Sequence, residues 1–224
     1  MIREIDGSPL DPAVWGNKAS ELAKLVTLAA PVPPAICLRV GAIADTAGLR
    51  VVKSWISSHP ASSYILRSSS LTEDLDSSAG AGTSITLSDI AGDATLTREL
   101  VINQLEPALQ GGSVILQVQA NCLYAGVAFV DQGIVAIEAG FRSLAATTSG
   151  EPPALVALMA KAELKVRLDR TQINQPVIGI LHQVGNISKC LSKHYGERVN
   201  LEWVHDGIGC WIVQARPLTC SLEL

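Results

Sequence analysis

The sequence predicts an α+β fold with two lobes. Apolar runs that suit strands alternate with amphipathic runs that suit helices, and near the end two strand-like runs flank an Asp206-Gly207 turn, a strong hairpin signal. The chain has 224 residues, of which 48% are hydrophobic, so it can form one or two sizeable cores. We expect an N-terminal lobe over residues 1–110 and a C-terminal lobe over residues 111–224.

The N-terminal half is predicted to alternate helices with short strands. Ala19, Leu22 and Val26 recur at helical spacing, and Asn17 before them is a candidate N-cap. The prolines at 31–34 require extended backbone, and Pro107 is expected to end a helix. The predicted order is helix 18–29, strand 36–40, helix 42–59, strand 64–67, a serine-rich loop over 68–84 and helix 95–106.

The C-terminal half is predicted to contain more strands. Three apolar runs follow one another closely, and an amphipathic helix precedes the hairpin. The predicted order is strands 113–119, 125–130 and 134–138, helices 153–161 and 186–195, and hairpin strands 199–204 and 210–214.

Composition excludes several classes of protein. The net charge is −4 and only 17% of residues are charged, whereas a nucleic-acid-binding protein needs a basic face. No apolar stretch reaches the roughly 20 residues of a membrane-spanning helix, and the charged start of the chain is unlike a secretory signal. We therefore expect a cytoplasmic protein that binds neither nucleic acid nor membrane.

The cysteines indicate neither a zinc site nor a disulfide framework. Their number is odd and no two form a CxxC pair, so reduced thiols buried as small apolar groups are expected. The five positions are Cys37, Cys122, Cys190, Cys210 and Cys220.

Lys18 is the first candidate for chemistry. It follows Gly16 at the start of a predicted helix, where backbone N–H groups and partial positive charge favour a phosphate. The GxxxxGK[ST] spacing of a P-loop is absent. A solvated lysine in a capping turn is the alternative.

Arg67 is the second candidate. It ends a buried strand and can offer a rigid bidentate fork to phosphate oxygens, while the small residues at 68–84 would let backbone amides approach an anion. A flexible linker is the alternative interpretation of that segment.

The hairpin carries the third group of candidates. Glu202 and Gln214 should face each other across the Asp206-Gly207 turn, and a carboxylate with an amide oxygen suits Mg²⁺. Arg216 is two residues beyond Gln214 and should lie on the same face of its strand. An ordinary hairpin with polar surface residues is the alternative.

Taken in order, these segments resemble the N-terminal ATP-binding domain of the pyruvate phosphate dikinase and phosphoenolpyruvate synthase family, which has an ATP-grasp-type fold. The similar elements are Gly16–Leu22 with the prolines at 31–34 (GGKAxxL…PVPPG), Leu66–Leu75 (VRSSAxxEDL), Ser78–Gly80 (SxAG), Val114–Gln117 (VVVQxM), Ala125–Phe129 (SGVxF), and His194–Trp203 with Gln214–Thr219 (HYG…DIEWA…QARPxT).

The resemblance implies an ATP-grasp-like fold of two lobes with the nucleotide cleft between them, and ATP with Mg²⁺ as cofactors. Lys18 and Arg67 would contact the ATP phosphates, and Arg216 would reach the transferred phosphoryl group, which makes Arg67 and Arg216 the catalytic candidates. The other implied contacts are Gln117 with the adenine, Glu138 with the ribose or a phosphate, and Glu202 and Gln214 with Mg²⁺. Gln117 is expected in the C-terminal lobe. For Glu138, a surface carboxylate at a strand end is the alternative.

The chain also departs from the family pattern. It is shorter between Pro34 and Tyr64 and between Leu87 and Val114, Gly140–Leu144 replaces the family's GLGE, and no histidine has the family's phosphohistidine context. We therefore expect an ATP-dependent phosphotransferase subunit whose acceptor is a small molecule or lies on another chain, such as a separate phosphohistidine protein. A non-catalytic module that binds a nucleotide or a partner is the alternative.

Overall fold

The chain forms two compact units. A computed structural model describes residues 1–71, 85–109, 111–142, 144, 152–160, 163–169 and 175–218. The first unit comprises Met1–Thr27 and Pro33–Gln119, and the second comprises Leu28–Val32 and Ala120–Leu224. The first unit thus continues beyond the expected border at residue 110, and Gln117 belongs to it rather than to the C-terminal lobe.

The first unit contains a five-stranded antiparallel sheet in the order β1-β2-β5-β3-β4. Its strands are β1 (Ile2–Glu4), β2 (Ala35–Arg39), β3 (Tyr64–Ser69), β4 (Thr86–Ile90) and β5 (Ser113–Val118). The strands predicted at 36–40, 64–67 and 113–119 are confirmed. Ser68 and Ser69 were expected to begin a loop, but they extend β3 because both pair with β5. The central position of β5 explains why it belongs to this unit.

Helices pack on the first sheet. They are α1 (Pro12–Trp15), α2 (Asn17–Thr27), α3 (Thr46–Ser58) and α4 (Ala94–Leu100), which continues as a π-helical turn (Val101–Leu105) and a 3₁₀ turn (Glu106–Ala108). The core joins Leu66 and Leu116 of the sheet to Trp55 and Leu105 of the helices. Helix α3 begins later than predicted because the Asp45 carboxylate accepts a hydrogen bond from the Gly48 amide and caps it there.

The second unit contains a six-stranded antiparallel sheet in the order β11-β10-β6-β7-β8-β9. Its strands are β6 (Tyr124–Asp131), β7 (Ile134–Phe141), β8 (Leu155–Ala160), β9 (Glu163–Asp169), β10 (Arg198–His205) and β11 (Cys210–Pro217). Helix α5 (Gln175–Ser192) packs on one face of this sheet, where Gly185 lies against the Met159 sulfur. By strand register, Ile137 and Leu201 share that buried face.

Two predictions for this unit need correction. The helix predicted at 153–161 is wrong: the segment is β8, in which Leu155, Ala157 and Met159 are buried while the residues between them are partly exposed. This period of two is that of a strand with one buried face. The helix predicted at 186–195 is the second half of α5, which begins at Gln175 and ends at Ser192. None of the helices in the described part of the chain combines the length and apolarity needed to cross a membrane.

The described cysteines have different environments. Cys37 and Cys210 are buried, and burial raises the pKa of each thiol to about 12. Cys122 is half-buried and Cys190 is exposed, so the expectation of buried thiols is wrong for Cys190. Cys220 lies outside the described residues.

Candidate functional site

In the first unit, Arg67 and Gln117 lie on the same face of the sheet. Arg67 pairs with Ile115, and Gln117 pairs with Ile65 on the same two strands. Because side chains alternate along a strand, these positions face away from the core that holds Leu66. Both are nearly inaccessible, with 8% of Arg67 and 1% of Gln117 exposed. The Gln117 amide donates a hydrogen bond from Nε2 to the Pro33 carbonyl oxygen over 3.1 Å, which fixes its side chain.

The start of α2 lies against the end of β3. The Ala19 amide, in the first turn of the helix, donates to Ser69 Oγ over 3.1 Å. Asn17 is therefore not the N-cap: it is the first helical residue, and Ser69 supplies the side-chain acceptor from another strand. Gly16 is required there, because its φ is +81° and an added Cβ would lie 2.1 Å from the Ser69 carbonyl oxygen.

The backbone of Lys18 consequently lies close to the strand that carries Arg67. Lys18 precedes Ala19, whose partner Ser69 is two residues from Arg67 on the same strand face. Only 7% of Lys18 is exposed, so the alternative of a solvated lysine is wrong. Charged side chains that are largely shielded from water interact strongly with other charges, because little water is present to screen them.

In the second unit, polar side chains form a row across the sheet. Gln214 pairs with Glu202, Glu202 with Val127, and Val127 with Glu138, so these residues share one face. Directly opposed Cβ atoms such as those of Glu202 and Gln214 lie about 5 Å apart, and two strand spacings place Glu138 about 10 Å from Glu202. Glu138 lies within β7, which runs to Phe141, so its alternative as a strand-end carboxylate is wrong.

A β-bulge lies beside this row. Glu202 pairs with Gln214 but Trp203 pairs with Ile212, which leaves Val213 as the extra residue of β11. Beyond the bulge, Asn200 pairs with Arg216, so this pair lies on the face that carries Glu202 and Gln214. The predicted opposition of Glu202 and Gln214 is confirmed, as is the placement of Arg216 on the face of Gln214.

Asn200 is a candidate that the sequence analysis missed. Its Oδ1 atom is buried and has no hydrogen-bond partner among the residues that the structure describes. An unpaired buried oxygen costs free energy, and a ligand would relieve that cost. The signal was available in the sequence, because Asn200 precedes Glu202 by two residues in a predicted strand and must share its face.

This oxygen set fits Mg²⁺. The Glu202 carboxylate and the amide oxygens of Gln214 and Asn200 are hard donors, which Mg²⁺ prefers. Within the described ranges, no three His, Cys, Asp or Glu side chains gather as a metal cluster. A cation held here would therefore take further ligands from water and phosphate, as Mg²⁺ commonly does.

An apolar cluster adjoins the polar row. Ala125 and Val204 are paired across β6 and β10, one step along the same face from Glu202, and they are packed together with Val213. Ala120 and Cys122 contact this cluster. Small aliphatic side chains such as these carry no chemical signature in the sequence.

The hairpin turn is fixed by Asp206. Its Oδ1 accepts from the amides of Ile208 and Gly209, each over 2.8 Å, and its Oδ2 accepts from Trp211 Nε1 over 2.7 Å. Burial alone would raise the pKa of Asp206, but these hydrogen bonds hold it below its usual value. Burial lowers the pKa of His205, whose Nδ1 accepts from the Gly207 amide, although the charge of Asp206 opposes this shift. The turn therefore sets the register of β10 and β11 as far as the bulge, which then brings Gln214 opposite Glu202.

Three of the quoted motifs lie partly or wholly outside the described residues, namely Leu66–Leu75, Ser78–Gly80 and Gln214–Thr219. The parts that lie outside are the segment 72–84 and Thr219 at the end of the hairpin motif. In the segment that replaces GLGE, the Arg142 amide donates to the Leu123 carbonyl oxygen.

Comparison with known proteins identifies the fold. No protein-family model and no curated protein sequence matches the chain. Among solved structures, the D-alanyl-alanine synthetase A of Vibrio cholerae O1 biovar eltor str. N16961 aligns with 90% of this chain and 54% of its own, at 9% identity and a TM-score of 0.51. The ADP complex of purK, N5-carboxyaminoimidazole ribonucleotide synthetase, aligns with 92% of this chain and 46% of its own, at 12% identity and a TM-score of 0.52.

The chain thus spans about half the length of these two structures. Both are ATP-grasp enzymes, and the mixed α/β fold with two antiparallel sheets is an ATP-grasp-like fold. The expected fold class is confirmed.

Proposed function

We propose that the chain binds ATP with Mg²⁺ and acts as a phosphotransferase subunit similar to the nucleotide-binding domain of phosphoenolpyruvate synthase and pyruvate phosphate dikinase. The phosphoryl acceptor is a small molecule or lies on another chain. The observation that carries this proposal is the opposed pair Glu202–Gln214, which shares its sheet face with the Asn200 oxygen that has no partner among the described residues.

The second unit supplies the metal ligands in this proposal. Glu202 provides the negative charge, and Gln214 and Asn200 provide neutral oxygens that are already held by strand pairing. The bound ion would neutralise phosphate charge and orient the phosphate chain. Arg216, opposite Asn200, would stabilise the charge that develops on the transferred phosphoryl group.

The first unit supplies the phosphate contacts. Phosphoryl transfer needs mainly positioning and charge neutralisation, and the nearly buried Lys18 and Arg67 suit both needs. The hydrogen bond from the Ala19 amide to Ser69 Oγ ties the backbone next to Lys18 to the strand that carries Arg67. A rigid cationic pair loses little conformational entropy when the phosphates bind.

The remaining contacts concern the nucleoside. Gln117, whose amide is fixed by Pro33, would lie by the adenine. Glu138, in the row of Glu202, would contact the ribose or a phosphate.

Calorimetry with the purified chain tests the proposal. We expect wild type to bind ATP in the presence of Mg²⁺, and Lys18→Met to weaken this binding at least tenfold. Lys53→Met on the exposed side of α3 is the matched control, because it removes the same charge away from these residues. Absence of ATP binding in wild type would refute the proposal.

Phosphorus NMR of ATP with candidate acceptors separates catalysis from binding alone. Transfer of a phosphoryl group to one acceptor would support the phosphotransferase. Tight ATP binding with no consumption in any combination would favour the non-catalytic binding module instead.

A further inference from the structure

We infer that Ser69 is a positioning residue that fixes Lys18 relative to Arg67. This inference rests on the proposed function, in which both cations contact the phosphates of ATP. It assigns to Ser69 no contact with the nucleotide. Its effect would pass through the backbone of α2 and through two glycine turns.

Three segments of the first unit meet at Ser69, which is fully buried. Its Oγ accepts a hydrogen bond from the Ala19 amide. Its carbonyl oxygen lies so close to Gly16 and Gly112 that a Cβ on either residue would approach it to 2.1 or 2.2 Å. Both glycines have positive φ, a conformation that favours glycine, and both turns approach Ser69 too closely to leave room for a side chain.

These contacts link the two cations by a short path. Lys18 is the neighbour of Ala19, and Arg67 lies two positions before Ser69 on the same face of β3. The turn before α2 is tied to β5 as well, because Ser113 Oγ donates to the Trp15 carbonyl oxygen over 2.6 Å and Ser113 pairs with Ser69. Loss of the Ser69 hydroxyl would release the first turn of α2, and Lys18 would no longer be held in register with Arg67.

Ser68 provides a matched control. It is 2% exposed, and its Oγ also accepts a hydrogen bond from a backbone amide, that of Ile85, over 2.9 Å. It precedes Ser69 in β3 and therefore faces the opposite side of the sheet. Ser68→Ala and Ser69→Ala therefore each remove one buried acceptor, and we expect similar losses of stability from both.

The two variants should differ in how they bind ligands with and without phosphates. We expect Ser69→Ala to weaken ATP binding by roughly 5- to 10-fold, the factor that one displaced hydrogen bond accounts for, while adenosine binding stays unchanged. Ser68→Ala should leave both affinities unchanged. Ser69→Cys fills nearly the same space with a much weaker hydrogen-bond acceptor, so it should also weaken ATP binding without changing adenosine binding. This variant replaces Ser69→Ala in the test if Ser69→Ala does not fold.

We test this inference by calorimetric titration of wild type and these variants with ATP and with adenosine. Equal losses for ATP and adenosine, or equal losses in the Ser68 and Ser69 variants, would overturn the inference. If Lys18→Met weakens ATP binding and neither Ser69 variant does, only this inference fails. If wild type itself does not bind ATP, the proposed function fails and the inference fails with it.

Discussion

Glu202 lies directly opposite Gln214 in the antiparallel pair of β10 and β11. The Asp206 turn sets this register, and the bulge at Val213 keeps Gln214 and Arg216 on the face of Glu202. A shift of β11 by one residue would move Gln214 and Arg216 to the face that packs on α5, while Glu202 would keep its place through the pairing of β10 with β6. The geometry of the candidate metal site thus depends on the hairpin as much as on the ligands themselves.

The fit of Gly16 against Ser69 predicts a large loss of stability on substitution. Gly16→Ala combines a positive φ with a Cβ that would overlap the Ser69 carbonyl oxygen. Gly133→Ala is the control, since its φ is also +81° but nothing lies within 4 Å of the added Cβ. In urea unfolding we expect Gly133→Ala to cost about 1–2 kcal/mol and Gly16→Ala to cost about 1–3 kcal/mol more. Equal losses of stability in Gly16→Ala and Gly133→Ala would show that the backbone around Ser69 can shift to accommodate the added Cβ at little cost.

Asn200→Ala should separate binding from stability. The substitution removes a buried oxygen that has no partner among the described residues, so we expect the free energy of unfolding to fall by less than about 0.5 kcal/mol or to rise. The affinity for ATP with Mg²⁺ should fall. Gln119→Ala is the stability control. The Gln119 side chain accepts a hydrogen bond from the Asp89 backbone amide and donates one to the Asp89 carboxylate, so its removal should lower the free energy of unfolding by about 1–2 kcal/mol. A large destabilisation by Asn200→Ala would mean that its oxygen is satisfied within the fold.

The stability of the chain should depend on the protonation of His205. Burial lowers its pKa in the folded state, so the unfolded chain takes up the proton first as pH falls. The contribution of neutral His205 to the free energy of unfolding is complete above the pKa of the unfolded chain, about 6.5. Below that pH it decreases by at most about 1.4 kcal/mol per pH unit. Protonation of Nδ1 also removes the acceptor for the Gly207 amide.

Urea unfolding between pH 7.5 and 5 measures this dependence. His205→Asn keeps a neutral acceptor near Nδ1 and should have a flatter profile than wild type. Asp206 does not contribute to the pH dependence between pH 5 and 7.5, because its lowered pKa places its titration below that range. Identical profiles would contradict the assignment to His205.

Arg67→Ala and Arg216→Ala should reduce turnover more than affinity, once an acceptor is known. Each guanidinium group would stabilise charge that develops during transfer, and removal of one such group typically costs about 3–4 kcal/mol, or 10²- to 10³-fold in rate. The measurement compares the rate of ATP consumption with the dissociation constant for ATP. Arg50→Ala, on an exposed part of α3, is the control. Losses confined to affinity would assign both residues to binding alone.

The sequence was most informative where local chemistry decides the structure. The Asp206-Gly207 turn predicted the hairpin because Asp206 satisfies three donors within five residues. The prolines at 31–34 and the apolar run before Arg67 likewise act locally. The turn predicts that the two strands pair, but the register it sets would place Val213 opposite Glu202. The bulge at Val213 brings Gln214 opposite Glu202 instead.

Predictions failed where distant residues decide the structure. The run Leu155–Ala160 is short and apolar, and its pairing with both β7 and β9 makes it a strand. Ser69 caps α2 in place of Asn17 from 50 positions along the chain. Similarly, Gln117 belongs to the first unit because its strand pairs with β2 and β3, which no local pattern in β5 records.

The central claim is that Glu202 acts on the nucleotide through Mg²⁺, and paired titrations test it most directly. ATP binding is measured by calorimetry with Mg²⁺ and again with EDTA, for wild type, Glu202→Ala and Glu163→Ala, an exposed carboxylate on β9 that serves as control. We expect Glu202→Ala to lose affinity mainly in Mg²⁺, so that the gain in affinity that the metal gives wild type and Glu163→Ala disappears. Equal losses of Glu202→Ala in Mg²⁺ and in EDTA would contradict this claim and would make Glu202 a structural residue of the hairpin.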